Sequence, residues 1–81
     1  MSGAPAGGWP SLTERELDVV RLVARGWRNA DVAAALGLSV ATVKTHLNHV
    51  FGKLGVATRA ELAVVATQRA GNSTGATTPR R

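Results

Sequence analysis

Residues 29–55 read NADVAAALGLSVATVKTHLNHVFGKLG. A short apolar segment begins at Asn29 and ends at Gly37, and a longer one begins at Ser39 and ends at Gly55. Asn and Ser are favoured at helix N-caps, and Gly is favoured just after the last helical residue. The pattern therefore predicts two helices joined by a tight turn, which is a helix-turn-helix unit.

The second of these two helices is basic and carries no acid. No Asp or Glu occurs between Asp31 and Glu61. Phosphate repels carboxylates and attracts Lys and Arg, so an acid-free second helix in this motif favours contact with nucleic acid.

Two further helices are predicted, so the sequence as a whole predicts an all-α fold, a bundle of four helices. Thr13 with Glu16, and Thr58 with Glu61, form T-x-x-E capping boxes. The four predicted N-caps are Thr13, Asn29, Ser39 and Thr58, and the four glycine stops are Gly26, Gly37, Gly55 and Gly71.

The apolar residues recur at helical spacing and predict the core. The predicted core residues are Val19, Val20 and Val23 on helix one, Val32, Ala35 and Leu36 on helix two, Val43, Leu47, Val50 and Leu54 on helix three, and Leu62, Val65 and Ala66 on helix four. Gly52 breaks the pattern, because a glycine inside a helix costs about 1 kcal/mol relative to alanine. Either another backbone approaches closely at Gly52, or the glycine is simply tolerated.

Composition limits the class of protein. The chain has 81 residues, a formal net charge of +5 and a pI near 11.5, which allow one small domain with a polyanionic partner. It has no cysteine and only two histidines, so we expect no disulfide, metal site or cofactor. No apolar run approaches the roughly 20 residues of a membrane span and no secretory signal is evident, so we expect a soluble, cytoplasmic protein.

The two ends of the chain differ in composition from the middle. Residues 1–11 and 71–81 are rich in small and polar residues, which predicts a flexible tail or linker remnant at the start and a flexible tail at the end. The predicted domain spans residues 12–70. Trp9 can pack against the domain or remain free.

A projection of helix three separates a core face from a polar face. The polar face takes Ala41, Lys44, Thr45 and Asn48, with His49 and Lys53 at its flanks. Lys44 can donate to guanine, Asn48 can pair with adenine, and Thr45 can contact either polar groups or a thymine methyl. Each can also be an ordinary solvated residue.

Further residues are candidates for phosphate contact. Thr42 lies in the first turn of helix three, where free backbone N–H groups attract a phosphate oxygen. Lys53 and Arg59 can contact the phosphate backbone, and His49 lies at the rim of the polar face. Three candidates have an alternative structural role: His46 as a half-buried histidine, Arg59 as a partner of Glu16 or Glu61, and Asn29 as a helix cap.

The motifs LTERE, ARGW, RNADVAAALGLS, TVKTH and KLGVATR occur in this order. Together they resemble the LuxR-type (GerE-type) DNA-binding domain found at the C-terminus of NarL/FixJ response regulators and quorum-sensing activators. The resemblance covers residues 12 to about 70. Val20 is a minor departure, because the family usually has leucine there.

The resemblance implies transcription regulation by double-stranded DNA binding. It places the residues matching Lys44, Thr45 and Asn48 in the major groove and those matching Thr42, Lys53 and Arg59 near phosphates. It also implies that helix four mediates dimerisation on DNA, through a face formed by Ala60, Ala63, Val64 and Thr67. That face can instead be a solvated, alanine-rich surface.

The resemblance also implies partners beyond DNA. In this family the domain usually follows a receiver or ligand-sensing domain, which this chain lacks, and RNA polymerase is a further candidate partner. The chain is either an excised C-terminal domain or a small stand-alone regulator.

The sequence also bears on three other classes of function. A protein-interaction module that keeps the fold without binding DNA is the main alternative. No catalytic triad, paired carboxylate or metal cluster is present in the sequence, which argues against an enzyme. The lack of aromatic stacking platforms argues against RNA binding.

Overall fold

The computed structural model of the chain describes residues 8–74, with side chains described for residues 8–69. These residues form a 3-10 turn, Trp9–Ser11, followed by four helices, α1 (Glu14–Ala24), α2 (Asn29–Leu36), α3 (Val40–Leu54) and α4 (Arg59–Thr74). No strand occurs in this part of the chain, so the predicted all-α fold is confirmed.

The core lies where α1 meets the other three helices. α1 packs against α4, α3 and α2, and α2 packs against α3. The fully buried side chains with the largest volumes are Leu62, Val19, Val32, Val43 and Val50. Val43, Leu47 and Val50 are the buried residues of α3, as its spacing predicts, which leaves the opposite side of this helix in solvent.

The capping pattern explains most of the helix boundaries. Thr13 Oγ1 accepts from the Glu16 N–H at 3.1 Å, and Glu16 Oε1 accepts from the Thr13 N–H at 2.9 Å, so the predicted capping box at α1 is confirmed. Ser39 caps α3 by accepting from the Thr42 N–H at 3.0 Å. Gly37 ends α2 in the left-handed conformation, with φ 69° and ψ 34°.

Glu16 has a second role that its sequence pattern does not reveal. Its side chain is 4% exposed, and Lys53 Nζ donates to its Oε1 at 2.7 Å across 37 residues of sequence. Burial alone would raise the pKa of Glu16, but the Lys53 and Thr13 hydrogen bonds and the charges of Lys53 and His49 outweigh it and lower that pKa below its ordinary value of 4.5. Glu16 thus fixes α1 to the C-terminal end of α3.

The start of α2 differs from the prediction. The N-cap is Arg28, which makes no side-chain capping bond, and Asn29 is the first helical residue. Asn29 Oδ1 instead accepts from Arg59 Nη1 at 2.7 Å, and a bond to a charged donor is stronger than a bond to a neutral backbone N–H. The predicted burial of Ala35 is also wrong, because Ala33 is buried and Ala35 is exposed.

Both ends of α4 differ in detail from the prediction. Thr58 Oγ1 accepts from the Glu61 N–H at 3.1 Å, as predicted for a capping box. The Glu61 carboxylate, however, accepts from the N–H of Ala57 rather than that of Thr58. The predicted stop at Gly71 is wrong, since the helix continues to Thr74.

The first turn of the described chain packs onto the domain, although the sequence predicts a tail over residues 1–11. The Gly8 N–H donates to the Lys53 carbonyl at 3.1 Å, and Lys53 Nζ donates to the Ser11 carbonyl at 3.0 Å. Trp9 packs against the core, and the Arg69 guanidinium lies 4.8 Å from the centre of its ring. Residues 1–7 and 75–81, which hold most of both predicted tails, lie outside the described residues.

Gly52 faces open space in the fold. A Cβ built at Gly52 would meet no atom of the protein within 4 Å. Close approach of another part of the described chain therefore does not explain the glycine.

We expect Glu16→Gln to lower the free energy of unfolding by about 1.5–3 kcal/mol at neutral pH, because Lys53 loses a charged acceptor. In the parent protein, the stabilisation from Glu16 is fully present above pH 4.5 and is lost as the pH falls through the lowered pKa of the folded state. Urea unfolding across this range should therefore show a weaker acid dependence in Glu16→Gln.

Glu14→Gln is the control for this prediction, since Glu14 is an exposed acid in the same helical turn. It should lose no more than the roughly 0.3–1 kcal/mol that a carboxylate gains from the helix dipole. Equal effects of the two substitutions would contradict the role assigned to the Glu16–Lys53 pair.

Alanine substitutions at Gly37 and Gly52 should change stability in opposite directions. A Cβ meets nothing within 4 Å at either position, but Gly37 has φ +69°. Gly37→Ala should therefore cost about 1–2 kcal/mol through backbone strain, while Gly52→Ala should gain about 1 kcal/mol through helix propensity. Thermal unfolding followed by circular dichroism measures both, and a loss of stability in Gly52→Ala would show that the fold itself needs this glycine.

Candidate nucleic-acid interface

The turn between α2 and α3 holds the two helices in a fixed relation. The Leu38 N–H donates to the Ala33 carbonyl at 2.9 Å, and half-buried Leu38 packs against the core. The left-handed Gly37 and the Ser39 cap then set the direction in which α3 leaves the turn. Because Val43 and Leu47 are buried, the outer side of α3 is fixed as well.

The outer side of α3 presents the three residues predicted to read bases. Lys44, Thr45 and Asn48 are all exposed. Thr45 Oγ1 donates to the Ala41 carbonyl at 3.1 Å, so its hydroxyl proton is used within the helix while its oxygen can still accept. Within the described part of the chain, Lys44 forms no ion pair and neither Lys44 nor Asn48 forms a side-chain hydrogen bond, so both side chains are available to a partner.

The start of α3 and the two histidines flank this surface. Thr42 is half-buried, and its hydroxyl lies 2.9 Å from the hydroxyl of Ser39, so it belongs to the helix cap. His46 is half-buried, as expected for a structural histidine. His49 is 59% exposed, with Nδ1 3.5 Å from the Oε2 of Glu16. The ring of His49 therefore lies between the buried carboxylate and the solvent.

Lys53 was predicted to contact the nucleic acid backbone, but its ammonium group forms hydrogen bonds within the fold. It donates to both Glu16 and the Ser11 carbonyl, and its side chain is 25% exposed. The sequence placed Arg59, not Lys53, as the possible partner of Glu16. The sequence held one signal for this pair, the capping-box glutamate Glu16. A cap glutamate that is buried, as Glu16 is, needs a cation.

Arg59 is also engaged within the fold, with partners the sequence did not suggest. It donates to Asn29 Oδ1 at 2.7 Å and to the Trp27 carbonyl. Neither predicted partner, Glu16 or Glu61, is used. We call the three residues Trp27, Asn29 and Arg59 the α2–α4 clasp, because they join the start of α2 to the start of α4.

The proposed dimerisation residues lie on α4. Ala60, Val64 and Thr67 are exposed, and Ala63 is half-buried. Val64 is 55% exposed, one of three large hydrophobic side chains on the surface of the described chain. This side of α4 is therefore exposed, and its side chains are small enough to allow another helix to approach closely.

The charges are distributed so that α3 remains free of carboxylates. Glu16, whose carboxylate contacts Lys53 and His49 of this helix, is buried and paired with Lys53. Among the described residues no group of three or more His, Cys, Asp or Glu side chains could hold a metal ion. The arrangement of a helix-turn-helix with an acid-free second helix that has an exposed outer side can thus bind a polyanion.

Comparison with known proteins agrees with this geometry. The family model described as bacterial regulatory proteins, luxR family, matches residues 10–66. The chain belongs to the LuxR family. Membership makes it a DNA-binding domain for transcription regulation and confirms that it is not an enzyme.

The LuxR-family relatives include regulators of very different length. The domain is 54% identical over 65 residues to the protein named HTH-type transcriptional regulator Mb0914c of Mycobacterium bovis, covering 80% of this chain and 7% of that protein. It is 39% identical over 57 residues to the response regulator protein VraR of Staphylococcus aureus, covering 70% of this chain and 27% of VraR. The LuxR-family chain thus spans only a small part of these relatives.

In residues 8–74, no helix of this LuxR-family domain combines the length and the apolar character that crossing a bilayer requires.

We expect Asn29→Ala and Arg59→Ala each to lower the free energy of unfolding by about 1.5–3 kcal/mol, because both remove a charge-assisted hydrogen bond of the α2–α4 clasp. Arg59→Ala should cost more, since it also removes the donor to the Trp27 carbonyl. In the double variant the losses should fall short of additive, as expected for residues in direct contact. Urea unfolding of the four proteins measures this coupling.

Gln68→Ala provides the control, because Gln68 is an exposed residue of α4 outside the clasp. Combined with Asn29→Ala, it should give an additive loss. Strict additivity for Asn29 and Arg59 as well would mean that their hydrogen bond contributes nothing to stability.

Proposed function

We propose that this domain reads a specific sequence in double-stranded DNA by placing α3 in the major groove. The observation that carries the proposal is the exposed set Lys44, Thr45 and Asn48 on the outer side of an acid-free helix. An α-helix fits the major groove, and the N-terminal half of a recognition helix faces the base edges. Lys44 and Thr45 lie in that half of α3, and Asn48 follows directly after the middle residue, Leu47.

The three side chains have complementary chemistry for base edges. The Lys44 ammonium donates to guanine O6 or N7, and the Asn48 amide pairs with adenine N6 and N7. Thr45 offers a hydroxyl and a methyl group, which suits either a polar edge or a thymine methyl. Specificity in this proposal rests on these three positions.

Contacts to phosphate come from fewer residues than the sequence alone suggested. The first turn of α3 offers the backbone N–H groups of Val40 and Ala41 to a phosphate oxygen, and Thr42 lies next to them with its own N–H bonded to Ser39. Half-buried His46 and exposed His49, further along α3, are the other candidates for phosphate contact. Lys53, Arg59 and Asn29 have polar atoms engaged within the fold, so we assign Lys53 the role of joining α3 to α1 and the other two that of joining α2 to α4.

The proposal includes a dimer formed through α4. Ala60, Ala63, Val64 and Thr67 present a surface of small residues around the exposed Val64 side chain. Two domains joined through α4 would match a two-fold operator with half-sites about 10 base pairs apart. Burial of Val64 in such a dimer would remove an exposed hydrophobic side chain from water.

Further partners follow from the length of the relatives. VraR is named a response regulator, and the match covers 27% of it, which supports a role for this domain as the output part of a longer regulator with an N-terminal sensor or receiver domain. RNA polymerase is the further protein partner that we propose for a regulator of this class.

The first experiment selects duplexes from a random pool with this chain and sequences those retained. We expect an enriched inverted repeat whose half-sites are separated by about one helical turn, roughly 10 base pairs. Enrichment of a single half-site would support base reading and contradict the dimer. Retention without enrichment would contradict sequence-specific recognition.

Lys44→Ala should weaken binding to the selected operator by about 1–3 kcal/mol and relax the preference at one base position of each half-site. Arg21→Ala is the control, since it removes the same charge from a residue of α1 that is 68% exposed. It should change affinity only through long-range electrostatics, and less so at high salt. Repeating the selection with both variants measures the change, and an unaltered base preference in Lys44→Ala would refute the assignment.

A further inference from the structure

Gly52 lies in a position that the fold does not require to be glycine. It is an interior residue of α3, where glycine costs about 1 kcal/mol relative to alanine. Gly37 and Gly55 have φ 69° and therefore favour glycine, whereas Gly52 is not among the glycines with positive φ. A side chain at Gly52 would also meet open space. The reason for the glycine must therefore lie outside the described fold, or there is none.

The position of Gly52 on α3 indicates where such a reason can be found. Gly52 is exposed and comes four residues after Asn48 and seven after Thr45. At 3.6 residues per turn, these separations place all three on one side of the helix, with Gly52 roughly 10 Å further along the axis than Thr45. Gly52 thus continues the side of α3 that faces DNA in the proposed function.

The lengths of the base-reading side chains add a geometric constraint. Thr45 and Asn48 are short, so they reach base edges only if the axis of α3 lies deep in the groove. The groove is about 12 Å wide, and a helix with its side chains is about 10–12 Å across, which leaves little room between the far end of the helix and the sugar–phosphate strands. A side chain on that end would hold the helix away from the bases.

We infer that Gly52 is a positioning residue of the DNA interface, at which the bare backbone of α3 packs against the sugar–phosphate strand. The inference rests on the proposed function and adds a steric determinant to its three base-reading residues. The missing side chain sets the depth of α3 in the groove, and that depth brings Thr45 and Asn48 within reach of the bases. The stability lost at Gly52 is the cost of this fit.

The test compares Gly52→Ala and Gly52→Gln with the parent protein on the selected operator and on an unrelated duplex. Both variants place side chains in open space within the protein, so both should fold, and Gly52→Ala should unfold at a higher temperature. On the operator, we expect Gly52→Gln to bind about tenfold more weakly or worse, with a smaller loss for Gly52→Ala.

Two readouts separate this steric effect from other causes. Glutamine carries no charge, so the dependence of affinity on salt should be unchanged while discrimination between the two duplexes falls. Ala35→Gln is the matched control, because Ala35 is exposed on α2 beside Gly26 and Trp27, and it adds the same side chain. It should bind both duplexes as the parent protein does.

The outcomes distinguish the inference from the proposed function. If the parent protein enriches no sequence, the proposed function fails first. If the parent binds its operator and both Gly52 variants bind equally well, the inference is overturned and the proposed function stands. Equal losses in Ala35→Gln would also overturn the inference, because the effect would not be specific to the outer side of α3.

Discussion

The ion pair between Glu16 and Lys53 is the interaction on which the arrangement of this domain depends. The buried carboxylate caps α1, accepts a hydrogen bond from Lys53 near the end of α3, and lies beside His49. Lys53 in turn binds the Ser11 carbonyl and so holds the N-terminal turn. A buried carboxylate without a cation would be costly, so the three segments are held in one arrangement. That arrangement keeps the outer side of α3 free of negative charge.

The structure divides the basic and polar residues of the interface into two groups. Lys53, Arg59 and Asn29 hold helices together, whereas Lys44 and Asn48 project from α3 into solvent. The distinction matters for the interpretation of variants, because under the proposed function loss of the first group would reduce DNA binding through the fold, whereas loss of the second would reduce it directly. Stability measured alongside affinity separates the two effects.

The sequence predicts the local features of this domain well, and its long-range polar contacts poorly. Caps at Thr13, Ser39 and Gly37 and the buried side of α3 follow from short-range rules that act within a few residues. The partners of Lys53 and Arg59 lie 37 and 30 residues away, and several basic residues could have filled each role. Asn29 was predicted as a helix cap for the same reason, because its actual partner, Arg59, is distant in the sequence. The sequence left open whether Trp9 packs against the domain, because its contacts include Arg69, which is distant in the sequence.

The predominance of valine in the core has a consequence for the entropy of folding. Four of the five largest fully buried side chains are valines, and those four lie in α1, α2 and α3. A valine in a helix adopts one χ1 rotamer in about 90% of cases, so its side chain is already nearly fixed once the helix forms. Packing the helices together then removes little further side-chain freedom, unlike the burial of methionine or another long side chain. A core this small can in this way be well ordered, and it can hold α3 rigidly without large aromatic side chains.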